Sequence, residues 1–365
     1  MNCQTIESKY KKIEEISFNG NQNFVFGCGW MGQNFVTPAK QMGIKIDGFV
    51  VSQKKQNTVQ GLPVYDLSEL KKITGKKNIF VALRDQDTNL NKRLSELCDV
   101  VYPVTYPEHI SVIAAQYYLN YFRNMKIDLS GDTVELKGFR FINPFIQPYD
   151  YLLSWVYEAG DLVLPELWDN YDRIDEGPYE VDNVRLEKDD IVFDCGANIG
   201  IFSAIARQKG CKVYAFEPMP AAIKYLQELQ LFLKEGLQIC PYALSDRSGE
   251  ADFHVQNFDL LGASLLKNNN IIDQDYVVKM ISIDEFVRTN GIKKVDFIKA
   301  DIEGSERDMI WGAREVIKKY APKLSICTYH LADDKQILEG RIKEINPNYV
   351  IEHRWKKLFA YVPKN

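Results

Sequence analysis

The sequence predicts a doubly wound α/β sheet closed by a C-terminal antiparallel hairpin and preceded by a smaller parallel α/β domain. Three observations carry that prediction. Residues 191–218, IVFDCGANIGIFSAIARQKGCKVYAFEP, read in order as strand, glycine turn, helix, strand and terminal acid, which is half of a mononucleotide-binding unit. Residues 295–306, VDFIKADIEGSE, deliver a second buried apolar strand to the carboxylate of Asp301. Residues 20–105 alternate short apolar runs with helix-period segments, the pattern of an open parallel sheet with helices on it.

Composition narrows the class. A chain of 365 residues has room for two domains with a core in each. A formal net charge of −5 argues against a nucleic-acid backbone as the main partner. Seven scattered cysteines without a CxxC pair suggest reduced thiols in a cytoplasmic protein, not disulfides or zinc. The polar start, MNCQTIESKYKKIEE, lacks the apolar core expected of a signal peptide, and no apolar run approaches the length of a membrane span.

Taken in order, residues 1–20 form a charged helix, and a strand at 23–26 runs into Gly27-Cys28-Gly29-Trp30-Met31-Gly32, a literal G-x-G-x-x-G. A helix to Gly43, strands at 44–51 and 79–83 and a helix at 88–98 complete this Rossmann-like domain, residues 1–107. The strand where a dinucleotide site wants an acid ends Val50-Val51-Ser52-Gln53, without a carboxylate. The segment resembles the small Rossmann-like domains attached to bacterial sugar-modifying enzymes, which implies a sugar-nucleotide site, an oligomerisation surface or a relic.

Pro103 and Pro107 mark its end. Residues 108–180 read as a helical, aromatic-rich linker: an apolar-faced helix at 109–125, then a stretch dense in Phe, Tyr, Trp and Pro between 139 and 180. Those aromatics suit a sugar-binding wall and suit a packed lid equally. The main domain, 181–365, continues after Glu217 with a helix at 221–234 and strands at 237–242, 251–255 and 277–283. A strand at 323–328 ends on Tyr329-His330, and a hairpin of 349–355 and 357–362 closes the chain.

The glycine turn defines its ligand. A turn into a helix N-terminus points N–H groups outward, and Gly196 and Gly200 let the backbone come close and adopt positive φ. Glu217, 217 − 194 = 23 residues after Asp194, is placed to accept from ribose hydroxyls. Gly196 is followed by Ala197-Asn198, so the pyrophosphate fingerprint is absent. Asp194 would repel a pyrophosphate but suit an ammonium or sulfonium group. A nucleoside with an amino-acid tail, S-adenosylmethionine, fits that set, with Ala243 near the adenine; an ordinary βαβ unit without ligand is the plain alternative.

At the neighbouring strand end, Asp301 is costly to bury without a purpose or partner. Glu303 and Glu306 follow as the chain enters a helix, where Glu306 reads as an acid serving the helix N-terminus. His330, one of four histidines, lands at the same edge.

Together these residues resemble a family. DCGANIGIFS, YAFEP, PYALSD, GASLL, IKADIEGSE and the terminal histidine of SICTYH resemble, in that order, the FkbM-type methyltransferases, across roughly residues 175–362. The resemblance implies a class I S-adenosylmethionine-dependent enzyme that methylates hydroxyls of sugars, polysaccharides or polyketide-like metabolites. It implies a cofactor site at Asp194, Gly196, Ala197, Asn198, Gly200 and Glu217 and an active-site edge at Asp301, Glu303 and His330.

Methyl transfer needs the acceptor oxygen on the methyl axis and a base for its proton. Asp301 or His330 could be that base, or Asp301 and Glu303 could hold a divalent metal that acidifies the hydroxyl. Expected partners are a sugar-containing small molecule or polysaccharide precursor, with no nucleic acid. Two rivals stand beside this reading: a nicotinamide-dependent oxidoreductase or epimerase acting through residues 27–32, and a non-catalytic nucleotide-binding module.

Overall fold

The computed structural model describes residues 3–83, 88–104, 110–147, 149–163, 177–255 and 274–363. Its contacts divide into two units, one holding the described residues of 1–132 and 143–153, the other those of 133–142, 154–163 and 177–363. The stretch 108–180, read from the sequence as a linker, contributes to both.

In the first unit, α1 (Cys3–Ser17) buries Ile6, Tyr10 and Ile13 at helical spacing. β1 (Gln22–Phe26), α2 (Trp30–Gln41), β2 (Gly48–Val51), β3 (Thr58–Val59), β4 (Leu62–Asp66), α3 (Leu67–Lys72), β5 (Lys77–Val81), α4 (Thr88–Ser95), β6 (Val100–Pro103) and α5 (Ile110–Asn124) follow. The sheet order is β3-β4-β2-β1-β5-β6, parallel except at β3–β4. β2 is shorter than the apolar run predicts, because Asp47 spends its backbone and side chain on Asn23: Asp47 N–H donates to Asn23 O (2.7 Å) and Asn23 N–H to Asp47 Oδ2 (2.8 Å). α5 packs on α1 and α2. The three glycines divide the work of a nucleotide turn. Gly27 has φ +96°, a Cβ on Gly32 would lie 1.9 Å from Gly27 O, and Gly29 has nothing within 4 Å.

The second unit begins with the hairpin of β7 (Thr133–Leu136) and β8 (Phe139–Ile142) and includes the latter part of α6 (Tyr149–Leu162). Then come β9 (Ile191–Cys195), α7 (Ile201–Gln208), β10 (Lys212–Phe216), α8 (Pro220–Leu233) and β11 (Leu237–Cys240). β12 (Ala243–Leu244), β13 (Gly249–Val255) and β14 (Gln274–Ile281) make a small separate sheet, and α9 (Ile283–Thr289) returns the chain to the main one. β15 (Phe297–Ala300), α10 (Glu306–Gly312), α11 (Arg314–Tyr320), β16 (Lys323–Cys327), α12 (Asp334–Ile345), β17 (Val350–Arg354) and β18 (Lys357–Tyr361) finish it. The main sheet runs β11-β10-β9-β15-β16-β18-β17, with β18 antiparallel to both neighbours. β9 and β15 are parallel neighbours at which the order of strand addition reverses, so the crevice at their carboxyl ends is the switch point where doubly wound sheets bind ligands.

Phe193, Phe216 and Phe286 centre the core of this sheet, with Phe216 and Phe286 edge-to-face at 4.8 Å. The aromatics between 139 and 180 mostly serve cores as well: Phe141 meets Trp155 edge-on at 5.9 Å, and Phe145 meets Phe122 at 5.6 Å. Among the described ones only Tyr179 reaches the strand-end crevice described next. Pro148, Trp168, Tyr171 and the GASLL segment at 262–266 lie outside the described residues.

Candidate active site at the carboxyl edge of the second sheet

The glycine loop is built by backbone bonds that leave little freedom. Gly196 and Ala197 N–H both donate to Phe216 O (3.0 Å each), and Asp301 N–H donates to Cys195 O (3.0 Å). Gly196 has φ +76°, and a Cβ there would lie 1.8 Å from the backbone oxygen of Asp301. Asn198 is also left-handed at φ +46°, and Gly200 caps α7 at φ +89°. Glu217 closes the loop from β10: Oε2 accepts from Asn198 N–H (2.9 Å) and Oε1 from Met219 N–H (2.8 Å). Each oxygen keeps a second lone pair for a ribose hydroxyl. Burial lifts the Glu217 carboxyl to about 7 against the pull of those two donors. Ala243, the first residue of β12, packs in a small apolar cluster with Met219, Ala222 and Met280.

Beneath the loop, Asp194 is fully buried and already has its counter-charge. Lys299 Nζ stands 3.1 Å from Asp194 Oδ1 and donates to Gly196 O (2.6 Å), while Ser203 Oγ donates to Asp194 Oδ2 (2.6 Å). Burial alone would lower the lysine, but Asp194, Asp301 and Glu158 raise it above its ordinary value. Asp194 therefore ties the loop to β15, and its charge is spent inside the protein. Removing one partner of such a buried pair costs about 3–5 kcal/mol.

At the end of β15, Asp301 accepts from Tyr179 Oη–H on Oδ2 (2.6 Å) and from Tyr329 Oη–H on Oδ1 (3.2 Å). The Tyr179 ring lies between two ammonium groups, Lys357 Nζ at 4.3 Å and Lys299 Nζ at 5.1 Å from its centroid. His330 stands among three carboxylates: Nε2 is 3.6 Å from Asp301 Oδ1 and 3.3 Å from Glu303 Oε2, and Nδ1 is 3.1 Å from Glu306 Oε1. Glu306 does more than serve the start of α10. It is fully buried, accepts from Ile302 N–H (2.8 Å) and Gly304 N–H (3.0 Å), and faces the imidazole.

Those contacts decide the protonation states. Burial would lower His330, but the Glu303 and Glu306 carboxylates, with Asp301 beside them, push it up to about 11. An imidazolium has no lone pair for a proton, which favours His330 as a positive charge over His330 as the expected base. Burial would raise Asp301, but Lys299, His330 and the Tyr179 hydroxyl hold it at about 2, which makes it a poor base too. Glu303 is raised above the ordinary carboxylate value by burial, against its bond to His330. It also sits at φ +52°, a strained position for a side-chain-bearing residue. Because the folded value of His330 is raised, its stabilising contribution is complete below the ordinary histidine value and fades only as pH rises through about 11. Its NMR signals are expected to stay those of an imidazolium from pH 6 to about 9. A titration near 6.5 would contradict the ion cluster.

Asp301, Glu306 and His330 each offer a ligand atom within 4.8 Å of the others. Each Glu306 oxygen accepts one backbone N–H and keeps a second lone pair, so this set has a full complement of donors for an ion only with His330 neutral. The expected pair of Asp301 and Glu303 flanks His330 Nε2 at 3.6 and 3.3 Å.

Comparison with known proteins bears on this edge. Residues 194–355 match the family model of the methyltransferase FkbM domain. That stretch is an FkbM methyltransferase domain. It contains both the glycine loop and the acid–histidine edge. The chain is 29% identical over 158 residues to the hexuronic acid methyltransferase AglP of Haloferax volcanii, covering 42% of this chain and 62% of the relative. It is 26% identical over 174 residues to the 2-O-methyltransferase NoeI of Sinorhizobium fredii, covering 43% of this chain and 69% of that one. A crystal structure of the methyltransferase FkbM from Methylobacillus flagellatus KT aligns over 98% of each chain, at 16% identity and a TM-score of 0.43. The FkbM domain thus brings together every expected cofactor and catalytic residue except Ala243, which packs beside the loop in its own apolar cluster. Among the described residues no helix is long and apolar enough to cross a membrane.

Sequence reasoning missed Lys299, Glu306 as the partner of His330, and Tyr179. A signal existed for Lys299: a lysine inside the otherwise apolar strand FIKA must have a buried counter-charge. Tyr179 carried none, because it lies 122 residues from Asp301 in the chain.

Proposed function

We propose that the chain is an S-adenosylmethionine-dependent O-methyltransferase acting on a hydroxyl of a sugar or related metabolite. The observation that carries this is the placement of the acid–histidine edge directly against the glycine loop, the backbone oxygen of Asp301 touching Gly196. A site that holds a nucleoside and removes a proton from a neighbouring hydroxyl needs those two parts side by side.

The cofactor would supply an electrophilic methyl group on a positively charged sulfur. Glu217 would meet the ribose, and the loop from Gly196 to Gly200 would admit the nucleoside backbone to backbone. Glu303 would take the proton of the acceptor hydroxyl, its carboxyl being raised by burial and partly open to solvent. The His330 imidazolium would stabilise negative charge developing on the acceptor oxygen, and Glu306 fixes the ring that does so. Asp301, held ionised by Tyr179 and Lys299, keeps His330 charged.

Names of the relatives point the acceptor search toward hexuronic acids and 2-hydroxyl groups. Incubation with S-adenosylmethionine and a panel of uronic acid and neutral glycosides is expected to yield S-adenosylhomocysteine and an acceptor heavier by one methyl group. No product with any sugar would count against the reading. The glycine geometry of the first unit favours a second nucleotide site there. An absorbance titration with NADH reads it, and β2 lacks the ribose-binding acid that would make nicotinamide its natural ligand.

A further inference from the structure

One partly buried acid of the second unit has no part in the reading so far. Glu158, on α6, buries Oε1 without a hydrogen-bond partner among the described residues. Its carboxyl otherwise meets the backbone N–H of Ile201, the first residue of α7, and shares the fields of Lys299, Asp194 and Asp301. An orphaned carboxyl oxygen at such depth is expensive, and native structures keep one where a ligand completes it.

Its position says which part of the ligand. Glu217 marks the ribose end, at the carboxyl end of β10. A bound cofactor would need its sulfur toward the Asp301 edge for the methyl group to reach an acceptor there, and its aminoacyl tail would then lie on the side of β9 and β15. Lys299 on that side is committed to Asp194 and Gly196 O. Glu158 Oε1 and the loop's Asn198 Oδ1 are both buried acceptors without partners among the described residues. Two unused acceptors suit a group with three donors and a positive charge.

We propose that Glu158 binds the α-ammonium group of the cofactor's aminoacyl tail, an inference that rests on the S-adenosylmethionine reading above. Burial lifts the Glu158 carboxyl to about 8, against Lys299 and the Ile201 N–H. It is therefore protonated at pH 7 and ionises as the ammonium arrives.

The test compares S-adenosylhomocysteine with 5′-methylthioadenosine, which keeps the nucleoside and sulfur but lacks the aminoacyl tail. Both are titrated calorimetrically into the wild type and Glu158→Gln, which keeps an acceptor for Ile201 N–H. The variant is expected to lose about ten-fold or more in affinity for S-adenosylhomocysteine and less than about two-fold for 5′-methylthioadenosine. Equal losses for both ligands, or no loss for either, would overturn the assignment. The wild type alone gives a second reading should the variant fold poorly. At pH 7, in buffers of different ionisation heat, S-adenosylhomocysteine should release close to one proton more than 5′-methylthioadenosine, and no difference would overturn the assignment. A wild type that binds neither ligand would overturn the cofactor reading, and this inference with it.

Discussion

Glu303→Gln is expected to lower turnover by roughly 10²- to 10⁴-fold while changing affinity for S-adenosylmethionine less than about three-fold. The amide keeps the size of the side chain and its contact with His330 but cannot take a proton. Asp301→Asn should cost less in the chemical step, because Asp301 is held at about 2 and both its oxygens accept from tyrosine hydroxyls. The pH dependence carries the same sign. The Glu303 carboxyl is raised in the folded protein, so the rate should fall as pH drops through a value above the ordinary glutamate range. With His330 charged to about 11, no limb belonging to histidine should appear near 6.5. Steady-state rates of the two variants across pH 4–9 measure all of this. A larger loss in Asp301→Asn, with Glu303→Gln near wild type, would return the base to Asp301.

Gly196→Ala should abolish cofactor binding and destabilise the second unit. The added Cβ would lie 1.8 Å from the Asp301 backbone oxygen, at φ +76°. Neither side can yield cheaply, since the strand ends are locked by the bonds of Gly196, Ala197 and Asp301 to Phe216 O and Cys195 O. Left-handed strain and overpacking together cost about 2–5 kcal/mol, a fall in Tm of roughly 10 °C. Gly200→Ala makes the instructive contrast. Its Cβ would meet Leu229 Cδ2 at 2.5 Å and Leu226 Cδ2 at 2.7 Å, side-chain ends and not backbone, and at φ +89° it carries the same left-handed strain without the backbone clash. It should therefore lose less of both stability and affinity than Gly196→Ala. Thermal melts and cofactor titrations of the two variants measure the difference, and equal behaviour would mean that the loop is not pinned as described.

What the sequence made legible follows period and punctuation. The strand–glycine–helix–strand run of 191–218, the acid at the end of β15 and the C-terminal hairpin are local patterns, and each folds where its own residues direct. The hairpin of β3 and β4 and the helix after it were not read. Yet the capping box of Asp66 and Glu69 is a local signal for the start of α3. The predicted single helix after Glu306 breaks into α10 and α11, where Gly312 fits only because a Cβ would strike Ser245 O at 2.1 Å. The candidate site divides along the same line. Its glycines and strand-end acids sit in motifs, whereas protonation depends on who faces whom across the sheet edge. His330 is favoured as an imidazolium because Glu306 and Glu303 converge on it, and Asp301 is held low chiefly by Lys299, His330 and the Tyr179 hydroxyl. No spacing in the chain announces those meetings.

The measurement that tests the central claim most directly is calorimetric titration of S-adenosylmethionine into the wild type and into Glu217→Ala, with circular dichroism to confirm that both are folded. A loop that holds the cofactor predicts micromolar binding, about −8 kcal/mol, weakened at least ten-fold when the carboxylate that meets the ribose is removed. No binding in the wild type, or equal binding in the two proteins, would contradict it.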